Sequence, residues 1–146
     1  MKRFVSIKYI GRLGEFLDKR IQVELSKVGY PSLSASHFEI LTFLFRKGDA
    51  CNMSSIATEI QRKKPTVTIL IQKLESLGLV KKTYSDTDKR ETKIYLTNEG
   101  KKFRPIAYRI STKLLSLKSW GISPEESSTL DPILNKIYNH CQNQNL

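Results

Sequence analysis

This sequence predicts a mainly α-helical fold with a minor β component, on three observations. Apolar residues recur at three- and four-residue spacing through both ends of the chain. Two short helical patterns flank a basic turn in the middle. Two runs of alternating polarity then follow, around a charged loop. With 146 residues the chain suits one compact domain, and its 39% hydrophobic content is ordinary for a soluble fold.

The first helix carries Ile10, Leu13, Leu17, Ile21 and Leu25 on one face, and Gly29-Tyr30-Pro31 ends it. Ser34 caps the second, an apolar and therefore central helix containing Phe38, Leu41, Phe43, Leu44 and Phe45. Lys47-Gly48-Asp49 turns out of it, and Ala50 to Met53 suits one short strand. Ser54 is the expected cap of a brief helix from Ser55 to Ile60. The next helix runs from Pro65 to Leu77, with Val67, Leu70, Ile71 and Leu74 inward and Gly78 as its stop. Val80 to Ser85 and Thr92 to Leu96 alternate as paired strands, with Asp86 to Glu91 as their loop.

Thr97 caps a long helix with Phe103, Ile106, Ile110, Leu114 and Leu117 on one face, which Pro105 should kink near Lys101 to Arg104. Ser123-Pro124-Glu125-Glu126 opens the last helix as a capping box. Its apolar face is Leu130, Ile133, Leu134 and Ile137, Pro132 predicts a bend, and Asn139 to Leu146 should fray. The terminal helices carry more apolar face than one small lobe can cover. Ile10, Leu13, Leu130, Ile133, Leu134 and Ile137 are therefore the expected contacts with a second copy of the chain.

The net charge is +11 and the pI about 9.7, which suits a polyanionic partner. The charge is clustered: from Gln61 to Arg104 there are twelve cations against five acids. Duplex phosphates demand such a footprint. In the helix after the basic turn, Thr66, Thr68, Gln72 and Lys73 lie outward or marginally. Threonines can donate to or accept from base edges, and Gln can pair bidentately with adenine. Arg62, Lys63 and Lys64 sit at its N-terminus, where phosphates favour exposed N–H groups. At the hairpin tip, Arg90 can enter a minor groove, with Lys89 beside it and Asp88 holding it by a charge-assisted bond. The competing readings are ordinary surface threonines and a solvated turn.

Taken together, Ile56-Ala57, Pro65-Thr66-Val67-Thr68, Lys73-Leu74-Glu75, Gly78-Leu79-Val80, Asp86-x-Asp88-Lys89-Arg90 and Ile94-Tyr95-Leu96-Thr97-x-Glu99-Gly100 resemble the MarR family of bacterial winged helix-turn-helix transcription regulators. The resemblance covers almost the whole chain. It implies a single domain over 1–146, with a winged helix-turn-helix lobe at 33–100 and dimerisation helices at 1–30 and 101–146. It further implies a homodimer on pseudopalindromic double-stranded DNA, with Arg90 as the minor-groove residue and Asp88 orienting it. The chain departs from the family pattern in three places. Ile69 stands where many relatives carry a basic residue. Arg62-Lys63-Lys64 replaces the usual polar cap. Pro105 and Pro132 fall within the linking helices.

The family commonly releases DNA on binding a small phenolic or anionic effector. Arg12, Phe16, His37 and Phe38 can form an aromatic-lined cationic site at the junction of the first two helices; the plainer alternative makes the phenylalanines core and Arg12 solvated. Cys51 and Cys141 make no disulfide framework, and Cys51 reads as a small buried hydrophobe. His37, His140 and these cysteines lack metal-ligand spacing, so no metal or cofactor is expected. The sequence also lacks a glycine-rich phosphate loop, a nucleophile motif, a signal peptide and an apolar stretch long enough to span a membrane, which points to a non-enzymatic cytoplasmic protein. The principal expectation is a sequence-specific repressor, and the alternative is a winged-helix module for non-specific nucleic-acid or protein contact.

Overall fold

The computed structural model describes residues 5–84 and 91–144. They fall into two compact units, Met1–Ile110 and Ser111–Leu146.

In the first unit, α1 (Val5–Lys27) buries only Ile21 and Leu25. Gly29, at φ +95°, reverses the chain, and the Tyr30 N–H donates to the Leu25 carbonyl at 2.9 Å, closing the helix end. α2 (Ala35–Arg46) packs against α1 and forms the centre of the lobe, burying Phe38, Ile40, Leu41, Phe43 and Leu44. Its start is a capping box with histidine in place of the usual acid or amide. The Ser34 N–H donates to His37 Nδ1 at 2.9 Å, and Ser34 Oγ lies 2.8 Å from the same nitrogen. The exit turn places Gly48 and Asp49 both at positive φ.

β1 (Ala50–Asn52) leads into α3 (Met53–Ile60), then α4 (Lys64–Ser76), β2 (Val80–Tyr84) and β3 (Thr92–Leu96). The antiparallel sheet has the order β1-β3-β2, with Cys51 opposite Ile94 and Val80 opposite Leu96 on its buried face. The cap of α3 is Asn52, not Ser54: its side-chain oxygen accepts from the Ser55 N–H at 2.7 Å. Asn52 wins because it ends the strand in extended conformation, while Ser54 already lies inside the first turn.

Thr97 caps as expected, its Oγ1 accepting from the Gly100 N–H at 3.0 Å. The helix it starts is short. α5 (Asn98–Lys102) stops at Phe103, and α6 (Arg104–Leu114) restarts with Pro105 in its first turn, so the proline helps restart a helix instead of kinking one. Gly100 is required here, because a Cβ would stand 2.1 Å from the Leu79 carbonyl oxygen. The break is well anchored. Phe103 is buried edge-on to Tyr30, with ring centroids 5.5 Å apart. Arg104 stacks on Phe45 at 5.2 Å and pairs with Asp49.

The described residues of the second unit comprise the end of α6, a 3-10 turn (Leu117–Trp120) and α7 (Pro124–Asn143). Leu117 thus belongs to the turn and not to the preceding helix. The capping box is present: the Ser123 N–H donates to Glu126 Oε2 at 2.9 Å, and the Glu126 N–H to Ser123 Oγ at 3.1 Å. α7 continues through Pro132 and is helical to Asn143, while the last two residues of the segment expected to fray, Asn145 and Leu146, lie outside the described residues. No α7 residue is buried. No helix among the described residues is long and apolar enough to cross a membrane.

Candidate nucleic-acid interface

α3 and α4 form a helix-turn-helix whose turn depends on Gln61. Its backbone is left-handed (φ 53°, ψ 50°), and the Arg62 N–H donates to the Ala57 carbonyl at 3.2 Å. A non-glycine residue in this region is uncommon, and here it redirects the chain within one step. α4 then buries Val67, Ile71 and Leu74 beneath it, while Leu70 is half-buried. This inward stripe leaves Pro65, Thr66, Ile69, Gln72 and Lys73 facing outward.

The start of α4 is electrostatically unusual. Lys63 is its cap residue and makes no side-chain capping bond, and the first turn contains no acid. Arg62, Lys63 and Lys64 are all exposed. Cations at the positive end of a helix dipole oppose it and are stabilised when an anion docks on the open N–H groups. Arg62 lies in the field of Glu39, but Lys63, Lys64 and Lys73 have no ion pair among the described residues.

The two threonines differ. Thr66 is exposed, whereas Thr68 is half-buried and donates its hydroxyl to the Lys64 carbonyl at 2.9 Å. With its hydroxyl donating within its own helix, Thr68 leaves a methyl and acceptor lone pairs toward the outside. Ile69 is 67% exposed, an apolar side chain in the middle of the outward face.

Lys64 and Thr68 share an open cleft of about 450 Å³ with Asn52, Met53, Ser54, Glu91 and Thr92. The cleft joins the start of α3, the second helix of the pair and the start of β3. Sequence reasoning did not place Asn52 or Glu91 at this site. The polar residue between a strand and a helix was the available signal for Asn52. Asp88, Lys89 and Arg90 lie outside the described residues.

The four candidate effector residues sit in different settings. Phe38 is 2% exposed within the core. His37 is buried, and its Nδ1 is occupied by Ser34. Burial, and secondarily the nearby Lys73 charge, lower its pKa below the ordinary value. Arg12 and Phe16 are exposed on α1. Cys51 is buried in β1 and burial raises its pKa, which suits an inert thiol. Cys141 is exposed on α7. No group of three or more His, Cys, Asp or Glu that could hold a metal ion occurs among the described residues.

Comparison with known proteins matches this arrangement. The MarR family model matches residues 33–92. The HTH-type transcriptional regulator MgrA of Staphylococcus aureus is 30% identical over 73% of this chain and 70% of its own length. The HTH-type transcriptional regulator PrsX of Escherichia coli is 32% identical over 82% and 72%. Among solved structures, a MarR transcriptional regulator from Methanosarcina mazei superposes with a TM-score of 0.79 at 22% identity, covering 93% of this chain and 95% of that one. A MarR variant from Escherichia coli complexed with operator DNA superposes at 0.76 and 19% identity, covering 92% and 97%. The helix-turn-helix, the adjoining sheet and these relatives lead to one assignment: the chain belongs to the MarR family of winged-helix transcriptional regulators.

Proposed function

We propose that the protein is a homodimeric repressor that binds a pseudopalindromic operator in duplex DNA. The observation that carries this reading is the start of α4, where Lys63 and Lys64 surround uncapped N–H groups without an acidic partner among the described residues. A phosphate docked there would fix the register of the helix. Thr66 and Gln72 then face base edges, and Thr68 offers its methyl and lone pairs. Asp88 and Arg90 supply the minor-groove contact. The operator-bound relative supports this use of the fold. Dimerisation would use the exposed apolar residues of α1 and α7, with Ile10 at 40%, Leu13 at 54%, Ile133 at 51% and Leu134 at 38% exposed, and Leu130 and Ile137 half-buried. A small aromatic or anionic effector would find Arg12 and Phe16 accessible on α1.

Selection of bound sequences from a random duplex pool tests the proposal. The expected product is one inverted repeat. Arg90→Ala should then weaken binding to it by about 1–3 kcal/mol, with unchanged affinity removing Arg90 from the interface. The exposure of Ile69 favours a second reading, in which contact is mostly non-specific. Ile69→Arg should add a phosphate contact and steepen the salt dependence by about 0.9 in log–log slope. Random duplex competing as well as the selected repeat would favour this second reading.

A further inference from the structure

Ile69 is the most exposed large aliphatic side chain among the described residues. Other exposed aliphatic residues, such as Ile10, Leu13, Ile133 and Leu134, lie on the helices proposed to meet a second copy. Ile69 lies instead on α4. At about 100° per residue, the buried stripe of Val67, Ile71 and Leu74 sets Ile69 almost diametrically opposite the core. Thr66 and Lys73 flank it on one side and Gln72 on the other, all exposed. A surface that docks on this face of α4 therefore meets Ile69 at the middle of the contact. The chemistry of the side chain limits what it can meet there. Isoleucine neither donates nor accepts, so it makes no bond to a phosphate or to the polar groups of a base edge. Pressed against them, it removes their water without replacing it. In the major groove the apolar group on a base edge is the C5 methyl of thymine. Branching at Cβ leaves Ile69 few rotamers, so it loses little freedom on settling against a methyl.

We propose that Ile69 is a specificity-determining residue that reads the C5 methyl of one thymine in each operator half-site. The proposal rests on the operator-binding reading above and deepens it. Ile69 stands where this chain departs from the family pattern, so the preference it sets belongs to this chain's own sequence. Thr66 and Gln72 hydrogen-bond to base edges beside it, and Ile69 adds a requirement that no hydrogen bond expresses: a methylated pyrimidine. A methylated cytosine carries its C5 methyl at the same place in the groove, so 5-methylcytosine satisfies Ile69 as thymine does. In a mostly non-specific contact the side chain would be indifferent to that methyl.

The test uses the full-length protein and the inverted repeat that it selects from the random pool. Each thymine of the repeat is replaced in turn by uracil, symmetrically in both half-sites, which removes the methyl and keeps every base-pair hydrogen bond. At one position wild type should lose about fourfold in affinity per half-site, the equivalent of one buried methyl group. I69A should bind the thymine duplex more weakly and should not respond to uracil at that position. T66S, which removes the neighbouring methyl and keeps the hydroxyl, should respond there as wild type does. At the same position wild type should bind 5-methylcytosine paired with guanine more tightly than cytosine paired with guanine, and I69A should not distinguish them. Equal wild-type affinity for thymine and uracil at every position would overturn the role of Ile69 and leave the operator reading intact. So would a uracil response that persists in I69A or that T66S abolishes. If wild type enriches no sequence from the pool, both readings fail.

Discussion

The lobe and the terminal helices are stabilised by different means. Between Leu33 and Leu96 every helix buries side chains within its own unit, and Ile40, Leu41, Leu44, Ile56, Val67, Ile71, Leu74 and Ile94 are fully enclosed. The N-terminal half of α1 instead exposes Val5, Ile7, Tyr9, Ile10, Leu13 and Phe16, and α7 has no buried residue at all. The lobe thus finishes its core from its own sequence, whereas these helices present apolar surface that only another surface can remove from water. Under the proposed function, that division would separate the part that grips DNA from the part that joins two copies.

The largest effect should come from breaking the terminal surface alone. Leu13→Glu with Ile133→Glu places charges among exposed apolar residues and should leave a monomer by sedimentation, with a folded lobe. Affinity for a two-half-site duplex should fall by about 10²–10⁴-fold, because the second half-site contact is no longer intramolecular. Affinity for an isolated half-site should change little. A double variant that stays dimeric would show that the copies meet through another surface.

The complementary change is in the lobe. Ile71→Ala removes a fully buried side chain beneath the outward face of α4 and should cost about 2–5 kcal/mol. Trp120, the only tryptophan, lies in the second unit, so its fluorescence reports that unit while far-UV circular dichroism reports all helices. The expected result is a circular dichroism transition shifted to lower denaturant, with the concentration dependence of the tryptophan signal retained. Loss of that concentration dependence would mean that the two regions are one cooperative system and that the contrast drawn above is wrong.

The lobe was the more legible region in the sequence, because its periodicity and turn chemistry agree. Gly78 ends α4 at φ +73°, and β3 has the expected bounds. The misses occurred where two local signals competed. Ser54 and Asn52 are both good caps, and the strand that Asn52 terminates decided between them. Pro105 was compatible with a kink or a first-turn position, and the burial of Phe103 together with the Arg104–Asp49 pair set the break. The terminal helices were legible as amphipathic stripes, but a stripe does not identify what covers it.

The smallest effect is also the most local. His37 joins the cap of α2 to the neighbourhood of Lys73 on α4, entirely within the lobe. Its pKa is lowered in the folded protein, first by burial and then by the Lys73 charge, from an ordinary value of 6.5. The unfolded chain therefore takes up this proton first as the pH falls. The stabilisation from neutral His37 is fully present above about pH 6.5 and is lost as the pH falls from there through the folded value. Protonation would also remove the Nδ1 lone pair that accepts from the Ser34 N–H, opening the cap. Glu39 has the opposite sign: burial raises its pKa above 4.5, so its contribution declines as the pH rises from that region. The urea midpoint should consequently drop between about pH 7 and pH 5.5, a window set by the ordinary histidine value. His37→Gln, which keeps a capping acceptor, should flatten that drop. An unchanged pH profile in the variant would assign the dependence to other groups and leave His37 as a cap alone.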